Sequence, residues 1–105
     1  MLNVPIYQTA HYEVDAAAVD DVVAAIKVFV AHVSANEPGT KVYAAWQQKD
    51  DPTKFVHLFE FADEAAHHAH GQSDAVRAFE AVYQPVLTAG AVRFTDYVVV
   101  ASNTG

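Results

Sequence analysis

Residues 54–61 read KFVHLFEF, and the alternation of their side chains decides what kind of sheet the chain builds. In an extended segment Phe55, His57, Phe59 and Phe61 share one face, while Val56, Leu58 and Glu60 share the other. A strand with one wet face alternates apolar with polar residues. Here both faces are mostly apolar, so both are expected to be covered. The preceding run 41-KVYAAWQQ-48 is a second strand pattern, and the polar 49-KDDPT-53 between them makes the pair a β-hairpin.

Outward from the hairpin, the rest of the topology follows. Before it, Val19, Val22, Val23, Ile26, Val30 and Val33 recur at three- and four-residue steps, which predicts a long amphipathic helix over about 16–35. Asp15 caps its start, Asp20 and Asp21 suit the positive end of its dipole, and 36-NEPG-39 stops it. The first strand is 4-VPIYQTAHYEV-14, with Pro5 at its beginning, where a missing N–H is tolerated. After the hairpin, Asp63 caps a short helix over 64–70 that breaks at Gly71, and Ser73 caps a second with Val76, Phe79, Tyr83 and Val86 on one stripe. Pro85 tightens the last turns of this second helix and Gly90 ends it. A last strand over 91–101 leads into a loose tail, 102–105.

The order β–α–β–β–α–β is the split βαβ, or ferredoxin-like, arrangement of the α+β class. It predicts a four-stranded antiparallel sheet with its helices on one face, in one domain spanning 1–105. The other face is left open, and a second subunit is the expected cover.

Bulk composition narrows the function. Thirteen acidic against six basic residues give a formal charge of −7, which excludes a phosphate-tracking nucleic-acid binder and docking on an anionic membrane. The chain has no cysteine, so disulfides, thiolate nucleophiles and iron–sulfur ligation are excluded. The N-terminal residues lack the basic and apolar regions of a signal peptide, and no apolar run approaches a membrane span. A cytoplasmic protein is the expectation.

Three of the six histidines crowd into 67-HHAH-70. At about 100° per residue, His67 and His70 lie about 60° apart on one side of a helix while His68 projects elsewhere. No metal site is expected from this run, which also lacks the i, i+4 pair of helical zinc motifs. His57, between two phenylalanines, reads either as a hydrogen-bonded core residue or as an acid–base group. His70 reads either as a group tightening the helix break or as a functional imidazole.

The series Glu37-Pro38-Gly39, Asp51-Pro52, Glu60-Phe61, Asp63-Glu64-Ala65-Ala66, His70, Ser73 and Phe79 resembles the antibiotic biosynthesis monooxygenase superfamily. The resemblance implies a homodimer whose two sheets meet as an α/β-barrel, with a pocket between sheet and helices in each subunit. It implies oxygenation of a small aromatic quinol- or anthrone-like substrate by O₂ with no metal, flavin or other cofactor. His70 and His57 are then the candidate catalytic bases, and Phe61, Phe59, Trp46, His67 and Phe79 the candidate pocket walls. Many catalytic branches of the family carry tryptophan where this chain has Phe61, a departure that argues against haem degradation. The alternative is a ligand-binding dimer that keeps the scaffold without catalysis.

Overall fold

The computed structural model describes residues 4–103. Strands β1 (Ile6–Glu13), β2 (Thr40–Gln47), β3 (Lys54–Phe61) and β4 (Arg93–Tyr97) form one antiparallel sheet in the order β2-β3-β1-β4. Helices α1 (Val19–Asn36), α2 (Glu64–Gly71) and α3 (Asp74–Tyr83) complete the ferredoxin-like α+β fold.

The caps are those the sequence announces. Asp63 Oδ1 accepts from the Ala66 N–H and Ser73 Oγ from the Val76 N–H, each satisfying a donor that a helix start leaves orphaned. Asp15 caps a tight 3-10 turn, Ala16–Ala18, and the α-helix proper begins at Val19. Val22, Ile26, Phe29 and Val33 form the buried stripe of α1; Val19, Val23 and Val30 pack at its margin. Phe29, absent from the expected valine-rich stripe, is its largest member and stacks on Phe79 of α3 at 5.1 Å between ring centroids.

Two expected boundaries are corrected. The last helix ends at Tyr83, not at Gly90: Pro85 has no N–H to donate, so residues Gln84–Val86 tighten into a 3-10 turn and Leu87 is already extended. Gly90 sits in the following loop at φ +86°, a conformation that costs a residue without Cβ little. The final strand is also shorter, Arg93–Tyr97 in place of 91–101. It pairs with β1 only across Tyr7–His11, and β1 gives out at Ile6, preceded by a proline that cannot donate. Val98 and Val100 are thus left 85% and 95% exposed. Of the expected tail 102–105, residues 104 and 105 lie outside the described residues, as do residues 1–3.

The two faces of β3 differ as alternation requires. Phe55, His57, Phe59 and Phe61 are buried toward the helices; Val56, Leu58 and Glu60 are half-buried on the opposite face. On that opposite face Trp46 is paired beside Val56 and Val42 beside Glu60, and both Trp46 and Val42 are exposed. Among the described residues no helix is long and apolar enough to cross a membrane.

Candidate active site

Between the helix-facing side of the sheet and helices α1, α2 and α3 lies a cavity of about 440 Å³, within the range of small-ligand pockets. Phe29, Tyr43, Phe59, Phe79 and Tyr83 give it aromatic walls, and three imidazoles, His57, His67 and His70, reach it. A larger depression of about 820 Å³ lies elsewhere, around His11, Trp46, Lys54 and Arg93. The smaller cavity is the candidate site because it combines aromatic walls with convergent, specifically paired imidazoles.

His57 arrives from the middle of β3, where strand alternation drives it inward between Phe55 and Phe59. It is 1% exposed, and both ring nitrogens are engaged: Tyr12 Oη lies 2.7 Å from Nε2 and Tyr43 Oη 2.8 Å from Nδ1. The ring also stacks on Phe79 at 5.7 Å. Burial penalises the imidazolium and pushes its pKa down to about 4. Burial likewise raises the Tyr12 and Tyr43 hydroxyls well above the ordinary phenol range, so both remain protonated. Near neutral pH this is a chain of three neutral groups.

His70 is held differently. It sits in the last turn of α2, and its Nδ1 is 2.7 Å from Oε1 of Glu37, in the turn that links α1 to β2. Thr40 donates its hydroxyl to the same oxygen at 2.9 Å, while the second carboxylate oxygen, Oε2, is buried without a partner. A carboxylate only accepts, so Nδ1 carries the hydrogen. In the neutral ring Nε2 then keeps its lone pair, and no group among the described residues occupies it. This is the arrangement by which a carboxylate fixes an imidazole tautomer for proton transfer.

The close approach of α2 to this turn depends on Gly39. A Cβ there would come within 2.6 Å of the Ala66 Cβ, while the Gly39 carbonyl accepts from the Ala62 N–H at 2.8 Å. The glycine of the turn thus lets the helix carrying His70 come down onto the turn carrying Glu37.

The structure brings His57, His67, His70, Phe59 and Phe79 together around one cavity. Phe61 lies beneath this set, 1% exposed, with its ring 5.0 Å from His67 and 5.2 Å from His70. It supports the two imidazoles from below and does not line the cavity. Trp46 is not brought to the site: it pairs with Val56, on the opposite face from His57, and is 59% exposed. Glu37 and Tyr12 are not among the site residues the sequence points to. Glu37 reads in sequence as part of a turn motif, and nothing local signals its partner 33 positions away. Tyr12 was legible in principle, because it alternates with Ala10 and Val14 on an inward face of β1. Among the described residues, no group of three His, Cys, Asp or Glu side chains is placed to hold a metal ion.

Comparison with known proteins places this geometry in a family. The model of the antibiotic biosynthesis monooxygenase family matches residues 5–82. The chain belongs to that family. A candidate antibiotic biosynthesis monooxygenase from Caulobacter crescentus is 27% identical, with a TM-score of 0.84 over 94% of this chain and 92% of the other. A candidate from Bacteroides thetaiotaomicron superposes with a TM-score of 0.86 at 18% identity, over 94% of this chain and 92% of that one. One from Nitrosomonas europaea gives 0.83 at 17% identity, over 95% and 94% of the two chains. At those lower identities the likeness is one of fold. No curated protein matches the chain in sequence.

Proposed function

We propose that the protein is a cofactor-independent monooxygenase acting on a small aromatic quinol- or anthrone-like substrate with O₂, with His70 as the base. One observation carries the reading: an imidazole with its Nδ1 held by a carboxylate borders an aromatic cavity of suitable volume. His57 lacks a free nitrogen and has its pKa near 4, so of the two candidate bases His70 is the one suited to take a proton.

The chemistry closes on substrate and O₂ alone. For an anthrone-type methylene, His70 Nε2 takes one C–H proton and leaves a resonance-stabilised anion. The anion passes one electron to O₂, and the resulting radical and superoxide join through a new C–O bond. The peroxide anion then loses the second C–H proton as its O–O bond breaks. A ketone remains and the distal oxygen departs as water, which also takes up the proton held by His70. All four electrons that reduce O₂ come from the two C–H bonds. The apolar walls contribute by excluding bulk water from the anion.

The open sheet face supports a homodimer: Val42 and Trp46 are exposed on it, and a partner's sheet is the expected cover. The reading places the protein in the cytoplasm, with no nucleic-acid or membrane partner. The direct test is O₂ uptake by metal-free protein given menadiol- or anthrone-type substrates; consumption no faster than in buffer across the panel removes the enzyme reading. A ligand-binding dimer is the second reading, favoured by Phe61 standing where catalytic relatives carry tryptophan. Saturable binding of those aromatics without O₂ uptake decides for it.

A further inference from the structure

The Tyr12–His57–Tyr43 chain holds more hydrogens than its two contacts consume. Two phenols and one neutral imidazole carry two O–H groups and one N–H. With Tyr12 Oη at Nε2 and Tyr43 Oη at Nδ1, one contact is a phenol donating to the bare ring nitrogen, and the other is the ring N–H donating to a phenol oxygen. The phenol that accepts keeps its own O–H, which has no other partner among the described residues. If Nδ1 bears the hydrogen, the spare O–H belongs to Tyr43; if Nε2 bears it, the spare O–H belongs to Tyr12. Both tyrosines line the cavity, so one donor is always left to it.

The surroundings choose between them. Tyr12 is boxed between Phe55 and Tyr83, at 5.4 and 5.2 Å, and is 8% exposed. Tyr43 instead has its ring 5.6 Å from that of His70. A ligand against His70 is therefore also against Tyr43. We propose that Tyr12, His57 and Tyr43 form a tautomeric relay that turns the Tyr43 O–H onto an acceptor oxygen of the bound ligand. Tyr43 is the group touching the ligand; His57 and Tyr12 act through it as positioning residues. His70 Nε2 and Tyr43 Oη then stand side by side in the cavity as an acceptor and a donor. That pair suits an aromatic hydroxyketone or its quinol equivalent, with an acidic hydrogen toward His70 and an oxygen toward Tyr43. The inference rests on the cavity being an aromatic ligand site, and it is independent of whether oxygenation follows.

Two bicyclic probes separate the claims. 1-Tetralone carries an acceptor oxygen, and tetralin has the same skeleton without it; neither is a quinol and no turnover is read. With tetralone bound, nitrogen NMR of His57 is expected to move toward the Nδ1–H form and the carbonyl stretch to fall in frequency. Tetralin fills the cavity and does neither. Tyr43→Phe, which keeps the ring, removes both responses and weakens tetralone roughly 2- to 10-fold while leaving tetralin unchanged, the loss expected of one neutral hydrogen bond. The same His57 tautomer with either probe overturns the relay, as does a carbonyl shift that survives Tyr43→Phe or an absence of saturable tetralone binding to the wild type. A protein that shows these responses but consumes no O₂ loses the oxygenase reading and keeps the relay; an active oxygenase with an unresponsive His57 does the reverse.

Discussion

His70 and Glu37 meet at 2.7 Å between Nδ1 and Oε1, joining the end of α2 to the turn before β2 across 33 positions of sequence. The pair is largely shielded, with side chains 12% and 13% exposed. It differs in kind from the other histidine–carboxylate contact of α2, His67 with Glu64, which spans 3.8 Å to a carboxylate 86% exposed. A pair of the second sort contributes little to stability, whereas the first fixes a ring.

Removing the base should cost the chemical step most. His70→Gln is expected to lower the oxygenation rate by roughly 10²- to 10⁴-fold, the usual contribution of a positioned general base. Glu37→Gln keeps the size of the side chain but no longer dictates which nitrogen carries the hydrogen. A loss of roughly 10- to 100-fold is expected, taking as guide the effect of removing the outer partner of a metal-bound histidine. Steady-state O₂ consumption checks both, and wild-type kcat in the His70 variant would remove His70 from the mechanism.

His57 predicts an acid limb in the stability curve. Its pKa is about 4 when folded against a reference of 6.5, so the unfolded chain takes up its proton first as pH falls. Stability is unaffected by this group above about pH 6.5, declines between about 6.5 and 4, and levels off below. The gap corresponds to about 3 kcal/mol, as an order of magnitude. Urea melts at stepped pH on wild type and His57→Gln measure it. An equally steep decline in the variant would assign the acid limb to other groups.

Gly39→Ala tests the packing of α2 on the turn. The added methyl would lie 2.6 Å from the Ala66 Cβ, so the helix or the turn must shift. Overpacking of this sort costs about 1–3 kcal/mol. The shift also separates His70 from Glu37, so activity should fall by more than the loss of folded protein accounts for. Gly71→Ala, where an added Cβ meets nothing within 4 Å, is the control for a nearby glycine without that contact.

Trp46 offers a reporter for the open face. It is the sole tryptophan of the chain and 59% exposed in the single subunit. If the sheets of two copies meet there, its emission shifts to the blue as protein concentration rises, in step with the mass from light scattering. Trp46→Glu should return the protein to monomer while leaving the tetralone site occupied. A dimer that persists with red-shifted, solvent-exposed emission would place the interface elsewhere.

Much of the fold could be read from the chain because its signals are local. Asp63 and Ser73 announce helix starts through their own capping bonds, and alternation in β3 sorts Phe55, His57, Phe59 and Phe61 from Val56, Leu58 and Glu60. The same alternation rule separates Trp46 from His57 once the β2–β3 register is known, but register depends on the hairpin geometry and a shift between Thr40 and Val42. The site was less legible. Its decisive contacts, Glu37 with His70 and Tyr12 with His57, span 33 and 45 positions, and no spacing rule connects such distances. The histidines themselves are legible in the sequence as candidates, but the partners that distinguish His57 from His70 are not.

The two histidines belong to different layers. Tyr12, His57 and Tyr43 belong to strands β1, β3 and β2 and are pinned by the ladder that pairs them, whereas His70 rides on α2, a helix of eight residues with no buried side chain. The sheet is therefore one wall of the cavity and the short helix the other, the first held by strand pairing and the second by its contacts with the turn before β2. Substitutions in α2 can retune the gap between the two, and with it the width of ring system admitted, without touching the hydrogen-bonded chain below. Divergence in substrate among proteins of this architecture is expected to be written in the α2 positions around His70, while the strands keep the hydrogen-bonded chain.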